Sequence, residues 1–522
     1  IAVSLYLYVR LQGVPRSVLP LYVLLLSVFL ASPRLVYRVW KDQGMNLAGG
    51  QRALVVGAGR AAELLLRDLS RSRDSQFMPV ALVDDAPEKK GCEIHGVRVR
   101  GNCDRIPELV TSLGIEIILI ALPSASDREM RRIVEICEGA GAPFLTLPSV
   151  QNILTEKMTG NLREVSIEDL LGRSQVRLNH ALIQKKVGGV KVLVTGGGGS
   201  IGSELCRQLM RLEPSELTIF EQCEFNLYRI QKDLTRLFPS TSVRAVLGDV
   251  TDAAAVDHVL GMTRPEIIFH AAAYKHVPLL QDQVRQAVRN NILGTRILAE
   301  AAVASGVREF VLISTDKAVR PTNVMGATKR AAEKLVQGLN EVGQTRFITV
   351  RFGNVLDSAG SVVPLFREQI RSGGPVTVTH PEVTRYFMTI PEACQLILQA
   401  ASVGVGGEIF VLDMGEPILI RYLAEQMIRL SGKRVGRDVA IDYVGLRPGE
   451  KLVEELFLGE EEPMPTPHAK LFLARSAPID LEAVRLDIRR LEQAVLEFDE
   501  KELDSRLRSL VPEFAEESSA FS

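Results

Sequence analysis

The sequence predicts an α/β fold with two doubly wound parallel-sheet domains that follow an N-terminal membrane-helix segment. Short β-branched runs alternate with amphipathic stretches, which is the pattern of parallel strands joined by helices. Two of these runs lead into glycine turns, at residues 57–59 and 196–202, as in Rossmann-like units. The first 45 residues are much more apolar than the rest, and 522 residues suffice for two or three domains.

Composition and charge exclude several classes of function. The chain has 62 Lys plus Arg and 63 Asp plus Glu, so no basic surplus favours a nucleic-acid partner. Its six cysteines form no Cys-x-x-Cys pair, and its seven histidines show no metal-binding spacing. We therefore expect reduced thiols in a cytoplasmic compartment and no metal site built by the protein.

Residues 1–45 are interpreted as a membrane anchor. Residues 18–31 carry no charge, but this run is shorter than the roughly 17–25 residues of a full span, so a buried core helix or an interfacial hairpin is the alternative. Arg34, Arg38 and Lys41 follow the run, and the positive-inside rule then places the later domains in the cytoplasm. Because the chain begins without Met, we expect that earlier spans are missing and that the anchor is truncated.

Residues 46–150 are predicted to form a Rossmann-like accessory domain. Asp84 ends one of its strands, near the place of a ribose-binding carboxylate in such units. A half-unit of this kind also keeps its fold without a ligand, so the sequence leaves open whether this domain binds one. Residues 151–185 are predicted as a connector. The predicted elements of the domain are strands at 53–56, 80–83 and 115–121 and a helix at 61–69.

The main domain, residues 186–480, opens on a stretch suited to a pyrophosphate. A strand at 192–194 leads into glycines spaced three apart and then into a helix. Such glycines let the chain turn tightly and let backbone N–H groups approach an anion at the positive end of the helix. The predicted cofactor-binding residues here are Thr195, Gly196, Gly199, Ser200, Ile201 and Gly202.

Later strand ends complete the predicted dinucleotide site. At Glu221 a carboxylate accepts hydrogen bonds from ribose hydroxyls and repels a 2′-phosphate, so NAD is favoured over NADP as the cofactor. A solvated loop carboxylate is the alternative for this residue. Asp249 and Val250 are predicted to lie at the adenine edge, and the small side chains of Ala271 and Ala272 let the cofactor lie close.

An acid and a base follow the predicted strand at 310–314. Thr315, Asp316 and Lys317 are expected at the carboxyl edge of the sheet, where ligands bind in folds of this kind. Such a pair suits an elimination, because a C–H beside a ketone needs a base and a departing hydroxyl needs an acid. The alternative is that both charged side chains only cap the following helix.

Six motifs, in order, give the chain a family resemblance. Together they resemble the membrane-bound nucleotide-sugar 4,6-dehydratases, which are CapD-like extended short-chain dehydrogenase/reductases of bacterial polysaccharide biosynthesis. The resemblance spans residues 186–456, and the anchor with the first Rossmann-like unit resembles the long form of the family. The motifs lie at residues 195–202, 270–278, 314–318, 325–329, 351–356 and 447–451.

The resemblance implies a reaction without net oxidation, carried out with tightly bound NAD. Hydride leaves C4 of a UDP-N-acetylhexosamine, most simply UDP-N-acetylglucosamine, water leaves across C5 and C6, and hydride returns to C6. By resemblance, Asp316 is the general acid at the C6 hydroxyl, Lys317 is the base at C5, and Thr315 hydrogen-bonds the C4 oxygen. Lys329 is expected to hold the nicotinamide ribose. The implied product is a 4-keto-6-deoxy sugar nucleotide.

Met325 departs from the wider superfamily, in which a tyrosine at this position takes the proton of the C4 hydroxyl. A thioether is not a base, but the membrane-bound branch has methionine there, so the resemblance still implies an active enzyme. We hypothesise that Thr315 relays this proton to Asp316 or to water.

The substrate-binding residues are expected downstream of the glycine turn. Lys275 and His276 are expected to face the site, and Asn354 is by resemblance a contact near the sugar or the diphosphate. Arg385 and Arg447 are candidates for the diphosphate, since a guanidinium can bind two oxygens at once. We also expect a homo-oligomer at the bacterial inner membrane with cytoplasmic catalytic domains.

Three other functions stay open. A UDP-sugar 4-epimerase shares the fold and the oxidation at C4, but it needs no acid–base pair at C5 and C6. Met325 and the second Rossmann-like unit motivate a non-catalytic, nucleotide-sensing membrane scaffold. A polyprenyl-phosphate sugar transferase has a similar anchor and first domain, but it has no use for residues 315–317 together with the glycine turn.

Residues 481–522 are predicted to form a helical tail. Its apolar side chains recur at helical spacing, with charges on the other faces. We expect the tail to pack on its own domain, and an intermolecular coil is the alternative. The apolar positions are Val484, Ile488, Leu491, Val495 and Phe498.

Overall fold

The protein contains two compact units, Ile1–Leu170 and Leu171–Ser522. Each unit contains a mainly parallel sheet with helices, so the predicted Rossmann-like α/β class is confirmed for both. The computed structural model describes residues 21–22, 24–30, 32, 50–71, 76–147, 162–164, 178–459, 463–475 and 478–514.

Most of the predicted membrane anchor lies outside the described residues. Those described between residues 21 and 32 are helical and exposed. Among the residues that the structure describes, no helix combines the length and the hydropathy that a bilayer span requires. The membrane anchor therefore stays a prediction.

The first unit is built on a five-stranded sheet. The strands described in the first unit are β1 (Gln51–Val56), β2 (Phe77–Val83), β3 (Glu93–Ile94), β4 (Val97–Arg98), β5 (Ile117–Ile120), β6 (Phe144–Thr146) and β7 (Arg163–Glu164). The helices described there are α1 (Arg60–Arg71), α2 (Ile106–Leu113) and α3 (Asp127–Ala140). The sheet order is β2-β1-β5-β6-β7, with β7 antiparallel to β6 and the other neighbours parallel. Strands β3 and β4 form a separate antiparallel pair.

The predicted strands and helix of the first unit are observed with slightly different bounds. Residues 163–164 differ from the prediction, since they belong to the predicted connector but pair with β6 and extend the sheet. Pairing there satisfies backbone groups that an open sheet edge leaves without partners. At the end of β2, the carboxylate of Asp84 accepts hydrogen bonds from the Ala58 backbone N–H at 2.6 Å and from Lys89 Nζ at 2.9 Å. Asp84 therefore stabilises the first glycine turn, at residues 57–59.

The second unit contains the larger sheet and most of the helices described. Its strands are β8 (Lys191–Thr195), β9 (Glu216–Glu221), β10 (Ser242–Leu247), β11 (Ile267–His270), β12 (Glu309–Ile313), β13 (Arg346–Arg351), β14 (Asn354–Val355), β15 (Val376–Val378), β16 (Thr384–Arg385), β17 (Phe387–Met388), β18 (Ile409–Leu412), β19 (Ile418–Leu419), β20 (Ile441–Tyr443), β21 (Pro463–Pro465) and β22 (Leu471–Ala474). Its helices are α4 (His180–Val187), α5 (Ser200–Met210), α6 (Glu224–Leu237), α7 (Ala253–Thr263), α8 (Val277–Gln281), α9 (Val284–Ala287), α10 (Gly294–Ala304), α11 (Val324–Val342), α12 (Val362–Arg371), α13 (Ile390–Val403), α14 (Ile420–Leu430), α15 (Leu481–Glu497) and α16 (Glu500–Leu510).

The order of the large sheet creates a crevice at its carboxyl edge. The order is β10-β9-β8-β11-β12-β13-β18-β22-β21, parallel from β10 to β18 and antiparallel for the last two strands. Chain order reverses beside β8, because β9 lies on one side of it and β11 on the other. Ligands of such sheets bind at this reversal, outside the carboxyl ends of the strands.

Alternating side chains of the large sheet form a core on each of its faces. Leu193 and Phe310 belong to a buried cluster with residues of α10, α11 and α15. Val194 and Phe269 belong to a second cluster, with residues of α5 and α13 on the other face. Because both faces are covered, the strands are almost continuously apolar, as expected of a buried parallel sheet.

The helix that precedes β12 begins with a wider turn. It starts as a π-helix, Val288–Leu293, and continues into α10. The wider turn places the polar side chain of Asn291 in the interior, where its amide donates to the Tyr274 carbonyl at 3.0 Å and to Thr328 Oγ1 at 3.1 Å. An apolar repeat does not reveal such a turn, and π-helical turns occur frequently at functional sites.

The tail helices α15 and α16 pack on the second unit. Four residues of the predicted stripe, from Val484 to Val495, are buried in the core next to α10 and α11. Phe498 is an exception, since 68 % of its surface is exposed. It ends α15 in a left-handed conformation with φ 58°, and the guanidinium carbon of Arg285 lies 3.8 Å from the centre of its ring.

We expect Gly202→Ala to disrupt the second glycine turn. A Cβ at this position would lie 2.1 Å from the carbonyl oxygen of Gly196, so backbone atoms would have to shift to make space for it. Overpacking of this kind costs about 1–3 kcal/mol. The measurement is the free energy of unfolding in urea.

Gly261→Ala in α7 is the matched control. No atom lies within 4 Å of the Cβ that this substitution adds, so helix propensity should raise the free energy of unfolding by about 0.5–1 kcal/mol. If the two variants changed stability in the same direction, the close approach at Gly202 would not be the deciding contact.

Candidate active site

The second glycine turn forms a cradle with no space for side chains. Gly196 has φ +65°, and a Cβ there would lie 2.7 Å from the backbone of Ala272. Gly199 precedes α5, so the N-terminal N–H groups of that helix point out of the turn. Bare backbone and a helix N-terminus at a switch point are what a dinucleotide pyrophosphate requires, and these residues fit that group.

The strand-end carboxylates lie beside this cradle. Glu221 is 7 % exposed, and its carboxylate accepts hydrogen bonds from the Gly198 N–H at 3.0 Å and the Cys223 N–H at 2.9 Å. Asp249 accepts from the Thr251 N–H at 2.9 Å, and Val250 is buried. The structure therefore brings the predicted cofactor residues together, while their contacts with ribose and adenine stay predictions.

A buried histidine separates the cradle from the helices behind it. His270 ends β11, and its Nδ1 and Nε2 lie 2.7 Å from Thr195 Oγ1 and 2.9 Å from Thr295 Oγ1. Burial, helped by the charge of Lys329, lowers the pKa of His270 to about 3. The ring is therefore neutral at physiological pH, and its two hydrogen bonds connect Thr195 at the end of β8 to Thr295 in α10.

The predicted acid and base lie side by side in a short 3-10 turn after β12. Asp316 Oδ1 accepts hydrogen bonds from Thr315 Oγ1 at 2.9 Å and from Lys317 Nζ at 3.0 Å. The same Nζ donates to Asn354 Oδ1 at 3.0 Å. The structure thus brings together three predicted catalytic residues and one predicted substrate residue.

One oxygen of this cluster is left open. Asp316 is 1 % exposed, and its Oδ2 has no hydrogen-bond partner among the residues that the structure describes. A buried oxygen without a partner is costly unless a ligand or a proton satisfies it. Burial alone would lower the pKa of Lys317, but the charges of Asp316 and Glu454 outweigh burial and raise that pKa above its ordinary value.

Helix α11 carries the other two predicted catalytic residues. Met325 lies in its first turn, is 3 % exposed and packs in the core. Lys329 is buried one turn later, and burial lowers its pKa to about 8 although Glu333 acts in the opposite direction. A Cβ at Gly326 would lie 2.1 Å from the Lys317 carbonyl oxygen, so α11 is in close backbone contact with the turn that carries Asp316 and Lys317.

A buried ion pair ties α11 to the sheet. The carboxylate of Glu333 accepts from Arg351 Nε at 2.9 Å, from Arg351 Nη2 at 2.8 Å and from Ser314 Oγ at 2.6 Å. Burial alone would raise the pKa of Glu333, but Arg351, Arg330 and Ser314 together lower it to about 2. The pair therefore fixes the helix beside the residue that precedes Thr315.

The two predicted diphosphate arginines have different surroundings. Arg385 is buried, and its guanidinium donates to the Thr384 carbonyl at 2.6 Å and to Glu450 Oε1 at 2.9 Å. Its Nε also lies 3.9 Å from Glu454 Oε1. Arg447 is exposed, and its backbone N–H donates to Glu450 Oε2 at 3.3 Å. Glu450 therefore links the loop of Arg447 to Arg385.

A loop after β14 meets both the cradle and the predicted substrate residues. The Ala359 N–H donates to Ser200 Oγ at 3.2 Å. A Cβ at Gly360 would lie 2.4 Å from the ring of His276, so this loop and the histidine are in contact. Lys275 and His276 are both exposed, and their contacts with a substrate stay predictions.

Three residues with important contacts were not assigned to the site from the sequence. They are His270, Glu333 and Glu454. A signal for His270 was present, since it lies in a motif and is polar at the end of an apolar run, whereas Glu333 lies four residues after a motif, next to Lys334, and gives no such signal. Glu454 follows the last motif closely. It is only 4 % exposed because its segment packs beside the end of β12, which is distant in the sequence.

Two family models match the chain. The model described as polysaccharide biosynthesis protein matches residues 192–476. The model described as CoA-binding domain matches residues 1–148. The first match covers more than half of the chain and includes the glycine cradle and the acid–base pair.

Individual proteins are similar over different parts of the chain. Capsular polysaccharide biosynthesis protein CapD of Staphylococcus aureus is 46 % identical over 434 residues, which are 82 % of this chain and 72 % of that protein. UDP-glucose 4-epimerase of Rickettsia prowazekii is 32 % identical over 277 residues, 52 % of this chain and 78 % of that protein. The X-ray structure of Pen from Bacillus thuringiensis has a TM-score of 0.52 and 32 % identity, and the match covers 57 % of this chain and 91 % of that one.

We expect Glu333→Gln to destabilise the protein by about 3–5 kcal/mol, because the fully buried Arg351 guanidinium loses its carboxylate. The measurement is urea unfolding of both proteins between pH 7 and pH 2. A carboxyl with a lowered pKa stabilises above its ordinary pKa and loses that effect as the pH falls. The difference between the two proteins should therefore shrink as the pH falls towards 2.

Glu341→Gln is the control in the same helix. Glu341 is exposed, and removal of its charge should change the free energy of unfolding by no more than about 0.5 kcal/mol. A loss of stability in Glu333→Gln that stayed constant down to pH 2 would contradict a charge-based role.

Proposed function

Because the chain belongs to the polysaccharide biosynthesis protein family, we propose that it catalyses NAD-dependent 4,6-dehydration of a UDP-N-acetylhexosamine. UDP-N-acetylglucosamine is the expected substrate, and the product is a 4-keto-6-deoxy sugar nucleotide for surface polysaccharide. One observation carries the proposal: Asp316 and Lys317 form a buried acid–base pair at the edge where β8, β11 and β12 end.

The residues of the cradle are suited to hold NAD. Gly196, Gly199 and Gly202 leave the backbone bare for the pyrophosphate, and Glu221 offers a carboxylate at the ribose position. When bound, NAD would supply the acceptor for the hydride that C4 loses and the donor for the hydride that C6 gains. Lys329 is proposed to bind the nicotinamide ribose. We expect the cofactor to copurify with the protein.

The acid–base pair is proposed to divide the elimination between two groups. Lys317 takes the proton from C5, and Asp316 gives a proton to the hydroxyl that leaves C6. The open Oδ2 of Asp316 is the atom proposed to face that hydroxyl, because Oδ1 already accepts from Thr315 and Lys317. General acid–base groups placed in this way contribute about 10²–10⁴-fold each to a rate.

The proton of the C4 hydroxyl is proposed to pass through Thr315. Met325 has no basic atom, and its side chain packs in the core. Thr315 Oγ1 donates to Asp316 Oδ1 at 2.9 Å, so its hydroxyl is oriented to pass one proton on when it accepts another. This geometry supports the relay to Asp316 over release to water.

The membrane attachment and the assembly state are parts of the same proposal. The uncharged run at 18–31 and the cations that follow it support attachment to the bacterial inner membrane, with the catalytic unit in the cytoplasm. A homo-oligomer is proposed by resemblance to the same enzymes.

A second function has a specific observation in its favour. The similarity to a UDP-glucose 4-epimerase over 277 residues supports a 4-epimerase. That reaction shares the oxidation at C4 but needs neither a base at C5 nor an acid at C6. The buried Asp316–Lys317 pair therefore favours dehydration.

Turnover of UDP-N-acetylglucosamine in deuterated water tests the proposal. We expect a 4-keto-6-deoxy product that carries deuterium at C5, because the proton returned there comes from solvent through the base. The products are identified by mass spectrometry and NMR. Unlabelled UDP-N-acetylgalactosamine as the sole product would instead identify an epimerase, and tight binding without turnover would favour a nucleotide-sensing scaffold.

We expect Asp316→Asn to lower kcat for dehydration by about 10²–10⁴-fold, because the amide cannot give a proton to the leaving hydroxyl. Substrate affinity, measured by calorimetry, should change little. Asp257→Asn, at an exposed position of α7, is the control and should keep full activity. If Asp316→Asn retained the wild-type rate, another group would have to be the acid.

A further inference from the structure

Glu454 lies buried behind the acid–base pair, in the irregular segment that follows Lys451. It is 4 % exposed. Its Oε1 lies 3.6 Å from Lys317 Nζ and 3.9 Å from Arg385 Nε, so one carboxylate oxygen is shared by two cations. No role in the reaction proposed above has been given to this residue.

The position of Glu454 makes Lys317 a lysine between two carboxylates. Asp316 Oδ1 lies 3.0 Å from Nζ, and Glu454 Oε1 lies 3.6 Å from it. Asn354 Oδ1 accepts a third contact at 3.0 Å. Burial removes the water that would otherwise solvate the amine, so these oxygens hold it in place and favour its charged form.

Charged side chains of both signs lie around Glu454. The charged groups that face it are Lys317, Asp316, Arg385 and Lys451. Burial, with help from Asp316, raises the pKa of Glu454 above its ordinary value, although the cations act against that rise. Arg385 has a second carboxylate partner, since it also donates to Glu450 Oε1 at 2.9 Å. Removal of the Glu454 charge would therefore leave Asp316 as the one carboxylate against Lys317 among the described residues.

We propose that Glu454 is a positioning residue for Lys317, and that its carboxylate holds the amine beside Asp316 and stabilises the ammonium that forms when Lys317 accepts a proton. This inference rests on the proposed dehydration. In that step Lys317 reacts as the neutral amine: the C5–H bond breaks, an N–H bond forms on Lys317, and the electron pair left on C5 is delocalised into the C4 carbonyl. A nearby negative charge makes Lys317 a stronger base for this weakly acidic C–H.

The first test measures the amine of Lys317 directly, without turnover. The full chain is treated with trace acetic anhydride at a series of pH values, and acetylation of each lysine is quantified by mass spectrometry. Only the neutral amine reacts, so the rate follows the fraction of Lys317 without its proton. In Glu454→Gln we expect the rate near neutral pH to rise by about tenfold, since an opposite charge at this distance has been removed.

Glu455→Gln is the matched control. Glu455 is the next residue, is half-buried, and pairs with Arg320 at 3.4 Å and Lys451 at 3.5 Å. Its removal should leave the labelling of Lys317 unchanged. If folded Glu454→Gln labelled Lys317 at the wild-type rate, Glu454 would be only a partner of Arg385, and the proposal would be overturned.

The wild-type chain gives a second test that does not depend on how the variant folds. The labelling midpoint of Lys317 should lie at higher pH than that of Lys232, an exposed lysine of α6. A midpoint equal to or below that of Lys232 would overturn the proposal.

Turnover separates this inference from the proposed function. In Glu454→Gln the rising limb of the pH–rate profile should move to lower pH while kcat falls, and in Glu455→Gln the profile should match the wild type. Product formation with unchanged Lys317 labelling would remove the role of Glu454 and leave the dehydratase standing. If Lys317 were labelled faster in Glu454→Gln but no 4-keto product formed with the wild type, the coupling between Glu454 and Lys317 would be supported and the proposed reaction would be contradicted.

Discussion

The buried ion pair between Glu333 and Arg351 is the contact on which the rest of the active site depends. Arg351 ends β13 and Glu333 lies on α11, so the pair joins the sheet edge to the helix that carries Lys329. Ser314 donates to the same carboxylate, directly before the catalytic turn. A charge pair in a medium of low dielectric constant tolerates little displacement. This contact therefore fixes α11, which carries Lys329, beside the strand end that leads into Thr315, Asp316 and Lys317.

The two glycine turns show how similar sequence patterns serve different ends. In both units a carboxylate at the end of the second strand accepts a hydrogen bond from the turn, Asp84 in the first unit and Glu221 in the second. In the first unit Lys89 also binds that carboxylate and neutralises it. In the second unit Glu221 is bound by backbone N–H groups, which orient the carboxylate without cancelling its charge. The second turn therefore presents a carboxylate, oriented by backbone N–H groups, of the kind that ribose hydroxyls recognise.

The sequence predicts those parts of the molecule that depend on local patterns. The strands, the glycine cradle and the neighbours Thr315, Asp316 and Lys317 follow from residues close together in the chain. The contact of Lys317 with Asn354 depends on how β12 and β13 pair, and no local pattern contains that information. Glu454 reaches the site from a still more distant segment. The inward side chain of Asn291 depends on a π-helical turn, which an apolar repeat of ordinary helical spacing does not reveal.

The tail helices have a consequence for where the catalytic unit ends. Glu513 follows α16 and forms ion pairs with Arg330 and Lys334, and Arg330 in turn contacts Glu333. The last described turn of the chain is thereby connected to the central ion pair through a single arginine. A fragment cut at residue 480, where the last sheet strand is already complete, would expose the apolar side of α11 and leave Arg330 without its outer carboxylate. A fragment that keeps this connection therefore has to include Glu513, well past the final strand of the sheet.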